Sequence, residues 1–211
     1  KKGDGHTARW RSTLLAIGVL LVVTLGATGC SENDRPLEAP VHFDGNIFGT
    51  FYQVTVMDPL TQGEAQALEE GFKAELESVD QAMSTYREDS ELIAFNEAPL
   101  EQWQPLSNEL IEVLAISQSV AEASQGAFDI TVGDLVNLWS FGPGARPKEI
   151  PADDVLADRL AQVGFDAVEV DTQQMQARRN RDVFVDLSGV AKGHATDRVA
   201  AYLEQQGLQH Y

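Results

Sequence analysis

The chain has 211 residues, 43% of them hydrophobic, which is enough to bury a core and suggests one domain rather than two. Its formal net charge of −18 argues against a general role on nucleic acid or on anionic lipid head groups. Residues 1–29 hold Lys1, Lys2, Arg9 and Arg11 against Asp4, a net of +3, so the remainder carries −21; a body that acidic needs a local positive device or a metal ion to hold a phosphate ester.

The N-terminal segment has the pattern of an export signal. Arg9 and Arg11 precede an uncharged run from Ser12 to Ser31, and Ala27, Thr28 and Gly29 lead into Cys30, the only cysteine. A signal peptide over 1–29 with lipidation at Cys30 is therefore expected. An uncharged run of about 20 residues is also long enough to be a single membrane-spanning anchor. In either case the body is expected to lie outside the cytoplasm. Residues 30–45, with Pro36, Pro40 and several acids, suggest a tether, and the domain is expected to start near Asn46.

Phe51 to Met57 alternates as a half-buried strand should, with Tyr52, Val54 and Val56 on one face. Thr61-Gln62-Gly63-Glu64 is a capping box, and behind it Leu68, Phe72, Leu76, Val79 and Met83 keep helical spacing, predicting a helix over 62–83. Ser84 to Asp89 breaks it. Ser90 restarts a short helix carrying Leu92, Ile93 and Phe95, and Ser107 caps a second long helix that Gly126 closes. Residues 140–149 form a loop, and Pro151 opens a helix that stops at Gly164. Three β-type runs, 168–170, 175–178 and 183–185, predict a meander, followed by a helix to about Gln206 that Gly207 ends. Strands and helices alternate in no regular βαβ order, so the class is α+β. The chain begins without a methionine and stops at Gln209-His210-Tyr211, just after a helix and a glycine, so both ends are expected to be cuts in a longer product.

The segment from Val183 to Ala195 carries the most chemistry. An apolar strand runs into Asp186, Gly189 permits close backbone approach, and Lys192 falls in the first turn of the next helix. A helix N-terminus with a lysine is a candidate phosphate or carboxylate site. The plainer reading makes Asp186 a helix cap and Lys192 a solvated residue. The spacing does not match a G-x-x-x-x-G-K-[ST] loop.

Asp186-Leu187-Ser188-Gly189-Val190-Ala191-Lys192-Gly193-His194-Ala195 resembles the "DLGGIAKGYA" signature of the ApbE family. Phe48-Gly49-Thr50 resembles the family's "MGT". Val79 to Leu92, with Phe95-Asn96, resembles "VDALMSTYRPDSELSRFN". Gly126 to Trp139, with Phe141-Gly142, resembles "GAFDPTVGPLVNLWGFG". Four ordered blocks across 48–195 make the match specific. The resemblance implies an α+β domain with a mixed sheet and packed helices over 46–211, its C-terminal part missing. It also implies that FMN is moved from FAD onto a threonine or serine hydroxyl of an acceptor protein, with Mg²⁺ and release of AMP. It implies that Phe48, Tyr86, Ala127, Phe128, Asp129, Asp186 and Lys192 contact FAD and that the Gly189 carbonyl contacts Mg²⁺. Without it, Tyr86 is a surface aromatic, Phe128 a core residue and Asp129 a cap.

The family's further metal ligands, a histidine and Asp/Thr residues, are expected beyond Tyr211, so no catalytic residue is named within the chain. Implied partners are FAD, acceptor flavoprotein subunits of membrane redox complexes, and a membrane reached through the lipid anchor, with no nucleic acid. The implied location is a membrane lipoprotein facing the periplasm or exterior, the inner membrane favoured. FAD pyrophosphatase activity and non-enzymatic FAD binding are the alternatives. Three positions depart from the family pattern: Phe48 replaces its methionine, Asp134 the proline after "TVG", and His194 the tyrosine after "AKG". His194 is expected to be a polar face residue of its helix.

Overall fold

A computed structural model describes residues 32–142 and 150–211. The expected signal peptide, Cys30 and most of the 140–149 loop lie outside the described residues. Among the described residues no helix is long and apolar enough to cross a membrane.

The fold starts upstream of Asn46. Val41–Ile47 forms strand β1, which pairs antiparallel with β2, Thr50–Val56, from Val41 opposite Val56 to Ile47 opposite Thr50. Further upstream, the Leu37 N–H donates to the Leu60 carbonyl at 2.8 Å. The stretch expected to be a tether therefore contributes a strand and a backbone tie. Its polar residues sit on the exposed face of a ribbon whose other face buries Phe43.

Helix α1, Gln62–Met83, begins at the capping box: Glu64 accepts from the Thr61 N–H at 2.8 Å while Thr61 Oγ1 accepts from the Glu64 N–H at 3.3 Å. Its buried face is Ala65, Leu68, Phe72, Leu76, Val79, Ala82 and Met83. Phe72 meets Phe43 edge-on with centroids 5.4 Å apart, and Tyr52 at 5.9 Å, which fixes the hairpin against the helix. Truncating Phe72, fully buried at this junction, would cost about 3–5 kcal/mol. On its other flank α1 packs along α6, Ala191–Gln205, which buries Ala191, Ala195, Val199 and Leu203 at helical spacing.

Two shorter helices fill the middle. Helix α2, Glu91–Glu97, is capped by Ser90, and α3, Asn108–Ala123, by Ser107. Gly126, at φ 80, lets the chain turn away after α3 as its N–H bonds back to the Ala121 carbonyl at 2.8 Å. Helix α4, Gly133–Leu138, has no side-chain cap and was not expected from sequence.

The predicted meander is replaced by a different three-stranded sheet. Strands β4, Val168–Asp171, and β5, Gln176–Arg179, pair antiparallel as expected. The third strand is β3, Gln104–Pro105, on the far side of β5. Residues 183–185 make only an isolated parallel bridge, Phe184 to Val132. Pro151 precedes α5, Asp153–Leu160, which ends four residues before Gly164. Two small sheets with helices packed among them make the fold α+β, antiparallel within each sheet and parallel at that one bridge.

Candidate functional site

Residues 183–192 are held from three directions. Arg179, buried so that desolvation draws its pKa down, donates to the Val183 carbonyl at 2.9 Å and to the Ala98 carbonyl at 2.6 Å. The Gly133 N–H donates to the Phe184 carbonyl at 3.0 Å, and the Asp186 N–H donates to the Ile130 carbonyl at 2.8 Å. Asn96, itself buried, donates from Nδ2 to the Val185 carbonyl at 2.9 Å and accepts the Val185 N–H at 2.8 Å. An apolar segment with buried peptide groups needs such partners.

Asp186 does not cap α6. Its Oδ1 accepts the Ser188 N–H at 2.8 Å and the Ser188 hydroxyl, an Asx turn that shapes the loop. Val190 stands at the N-cap without a side-chain bond, so the first N–H groups of α6 have no side-chain cap. Lys192, exposed in that first turn, folds back so that Nζ donates to the Ser188 carbonyl at 2.9 Å. Asp186, Ser188 and Lys192 thus form one hydrogen-bonded string at a helix start. This arrangement has the polarity to meet an anionic group.

The Gly126–Trp139 block lies beside that string. A Cβ placed on exposed Gly189 would sit 3.2 Å from Phe128 Cε2, so the loop and this ring are neighbours. Asp129 Oδ1 accepts from the Thr131 N–H at 2.8 Å and its hydroxyl at 2.7 Å, and Thr131 Oγ1 accepts from the Gly164 N–H at 2.9 Å. Asp129 therefore shapes a turn and does not cap α4. Ala127 is exposed next to it.

Tyr86 is 59% exposed on the loop after α1, its hydroxyl donating to the Phe141 carbonyl at 3.3 Å. Arg87 secures this loop, its guanidinium held firmly charged by Glu77 first, then Asp89 and Asp80. Phe48 lies across the domain at the β1–β2 turn, on one wall of a groove of about 380 Å³. Thr50, Tyr52, Lys192, Thr196 and Val199 also line it. The groove therefore joins the first and last sequence blocks. His194 bonds Glu109 at 3.2 Å, and Glu109 also accepts from the Ser78 hydroxyl at 2.8 Å; this is polar helix packing.

Sequence reasoning gave no role to Asn96, Thr131 or Ser188. Asn96 was detectable, since it follows Leu92 by four positions on the buried side of α2, where a polar side chain must find partners. Among the described residues no group of three or more His, Cys, Asp or Glu side chains could hold a metal ion. Gly189 offers a backbone carbonyl alone, so the residues described here do not make a magnesium centre by themselves.

Known proteins resemble this chain in both sequence and shape. A protein from Klebsiella pneumoniae named FAD:protein FMN transferase is 34% identical over 205 residues, covering 96% of this chain and 57% of its own length. The solved flavin transferase ApbE from Vibrio cholerae superposes with a TM-score of 0.74 at 36% identity, covering 80% of this chain and 54% of that one. The apo form of the flavinyl transferase ApbE from Pseudomonas stutzeri gives 0.72 at 28% identity, covering 82% and 58%. The chain thus spans a little under three fifths of the length of the curated relatives it matches. The model of the ApbE family matches residues 48–211, and with these likenesses it establishes that the chain belongs to the ApbE family.

Proposed function

We propose that this chain supplies the FAD-binding part of an exported FAD:protein FMN transferase that modifies acceptor flavoprotein subunits of membrane redox complexes. The observation that carries the reading is the convergence of the four sequence blocks. Asn96 grips Val185, Phe128 abuts Gly189, Tyr86 bonds Phe141, and Phe48 shares a groove with Lys192. The three relatives named as transferases above add weight to it.

In the proposed reaction a threonine or serine hydroxyl oxygen of the acceptor bonds to the phosphorus of the FMN half of FAD. The bond from that phosphorus to the bridging oxygen breaks, AMP leaves with the oxygen, and the hydroxyl proton departs to a base outside the described residues. Such a transfer depends on positioning and charge neutralisation. Within this chain Lys192 would turn from the Ser188 carbonyl to the diphosphate. The open start of α6 would face the same charge, and Tyr86 would lie against the flavin ring. Magnesium, which the family resemblance implies, would add neutralising charge.

A lipid on Cys30 would hold the protein at the membrane, facing the periplasm or exterior. Palmitate labelling tests this: a Cys30→Ala variant that stays labelled and membrane-bound refutes it.

The reaction is tested by incubating the protein with FAD, Mg²⁺ and an acceptor subunit, then reading covalent flavin fluorescence after denaturing electrophoresis and AMP in solution. A fluorescent acceptor with matching AMP supports transfer. AMP without a labelled acceptor indicates FAD pyrophosphatase, and FAD binding with neither product indicates a flavin carrier.

A further inference from the structure

We propose that helix α2 is a positioning strut for the flavin site, with Ser90 holding the Tyr86 loop and Asn96 holding the Asp186 loop; this rests on the flavin reading above. The helix is seven residues long, about 10 Å at the usual rise. Leu92 and Phe95 anchor it in the core with 0% and 2% exposure.

Each end grips a different loop through a polar side chain that is itself buried. At the C-terminal end Asn96 is 8% exposed, and both of its amide atoms are used on Val185, the residue before Asp186. The pair reproduces the two-bond exchange a neighbouring strand would make, for a segment whose strand pairing among the described residues is the isolated bridge of Phe184 to Val132. At the N-terminal end Ser90 is 1% exposed; its hydroxyl donates to the Ser84 carbonyl at 2.6 Å and accepts from the Ile93 N–H at 3.1 Å. Ser84 in turn accepts the Tyr86 N–H on its own hydroxyl at 3.2 Å. A single rigid helix thus sets the relative placement of Tyr86 and the Asp186–Lys192 string. Neither Ser90 nor Asn96 is assigned a contact with FAD; both act through the loops they hold.

The test uses Asn96→Leu, close in size but unable to make either bond, and Asn96→Asp, which keeps an acceptor and loses the donor. The comparator is Leu110→Ala, which removes a fully buried side chain of α3, an element to which neither Ser90 nor Asn96 bonds. Melting temperature, Kd for FAD by flavin fluorescence, and KM and kcat for FMN transfer are measured on the intact protein well below each melting point.

Both Asn96 variants should raise Kd and KM for FAD roughly tenfold to a hundredfold, the scale expected when a binding group is displaced by about 1 Å. Leu110→Ala should lower the melting temperature and leave Kd unchanged. Asn96→Gln, with the same amide one methylene further out, should not restore affinity. Ser90→Ala should weaken FAD binding in the wild type and have no further effect in a Tyr86→Ala background, whereas the Asn96→Leu effect persists there. If Asn96→Leu fails to fold, Asn96→Asp and Ser90→Ala carry the same comparison. Asn96 variants that melt lower yet keep wild-type Kd and KM overturn the strut and leave the flavin reading standing. A wild type that does not bind FAD overturns both.

Discussion

Replacing Gly133 by alanine should lower stability and disturb the flavin loop together. A Cβ at this position would lie 2.5 Å from the Phe184 carbonyl oxygen and 2.6 Å from its Cδ1. Carbon contacts settle near 3.5–4.0 Å, so roughly 1 Å must open. The Phe184 ring can rotate away, but the carbonyl is backbone. It accepts the Gly133 N–H at 3.0 Å, and the next residue, Val185, is clamped by Asn96. Relief therefore requires either breaking that hydrogen bond or shifting residues 184–186.

Overpacking of this kind costs about 1–3 kcal/mol, and a weakened buried hydrogen bond adds about 1 kcal/mol. The helix preference of alanine over glycine offsets about 1 kcal/mol. The net, about 1–3 kcal/mol, corresponds to a melting point lowered by about 2–12 °C in a domain of this size. Differential scanning fluorimetry with and without FAD reads both effects, because a displaced Asp186 should also shrink the stabilisation FAD gives. A Gly133→Ala protein that melts with the wild type and gains the same shift from FAD would refute the steric reasoning.

The helical Gly193 has nothing within 4 Å of its Cβ position, so Gly193→Ala should raise stability by about 0.5–1 kcal/mol, read by the same melt. Lys192→Ala should weaken FAD binding roughly tenfold to a hundredfold, as loss of a charged hydrogen bond does, and Lys192→Arg should rescue it only in part; fluorescence titration decides. Arg87→Ala should loosen the Tyr86 loop and raise Kd for FAD, with a small fall in melting point, because two of its three carboxylate partners, Glu77 and Asp89, are largely exposed and only Asp80 is not. The Asp58 carboxyl is pushed down to about 2 by a hydrogen bond from the His210 side chain, with the Gln209 and His210 N–H groups adding to it. A depressed carboxylate stabilises above its ordinary value of 3.8 and loses that contribution as pH falls toward 2. Amide protection at Gln209 and His210, taken relative to the intrinsic exchange rate at each pH, should therefore persist above that ordinary value and fall between it and pH 2, while Asp58→Asn should have lost it already at neutral pH.

Legibility followed the range of the interactions. Helix α1 was readable to the residue because its cap and apolar stripe are both local. Strand β1 was hidden by Asp44, Gly45 and Asn46, which suggest a turn by composition and become strand only through pairing with β2. Strand β3 has two residues, one of them Pro105, and owes its existence to β5 some seventy residues away. Residues 183–185 have strand composition, but Asn96 and Val132 satisfy them in place of a sheet. At the site, the strand-to-helix pattern singled out Asp186 and Lys192, and the family resemblance alone pointed to Phe48, Tyr86, Ala127, Phe128, Asp129 and Gly189. Of the groups that hold those residues in place, Asn96 and Thr131 reach distant segments at Val185 and Gly164, whereas Ser188 works through its neighbours Asp186 and Lys192. One buried amide was the only sign of such groups in the sequence.

The β1–β2 turn places Phe48 and Gly49 at φ 55 and φ 69, both left-handed, the pattern of a tight two-residue hairpin loop. Asparagine would take the first position with ease, whereas a phenylalanine there carries roughly 1–3 kcal/mol of backbone strain. The hairpin thus holds an aromatic at the rim of the groove against its own conformational preference. Selection for thermal robustness alone would drive this position toward asparagine or glycine, and each such change would strip the groove of one wall. Phe48→Asn should therefore separate two properties that usually move together, melting higher than the wild type while discriminating less well among ligands that enter between β2 and α6.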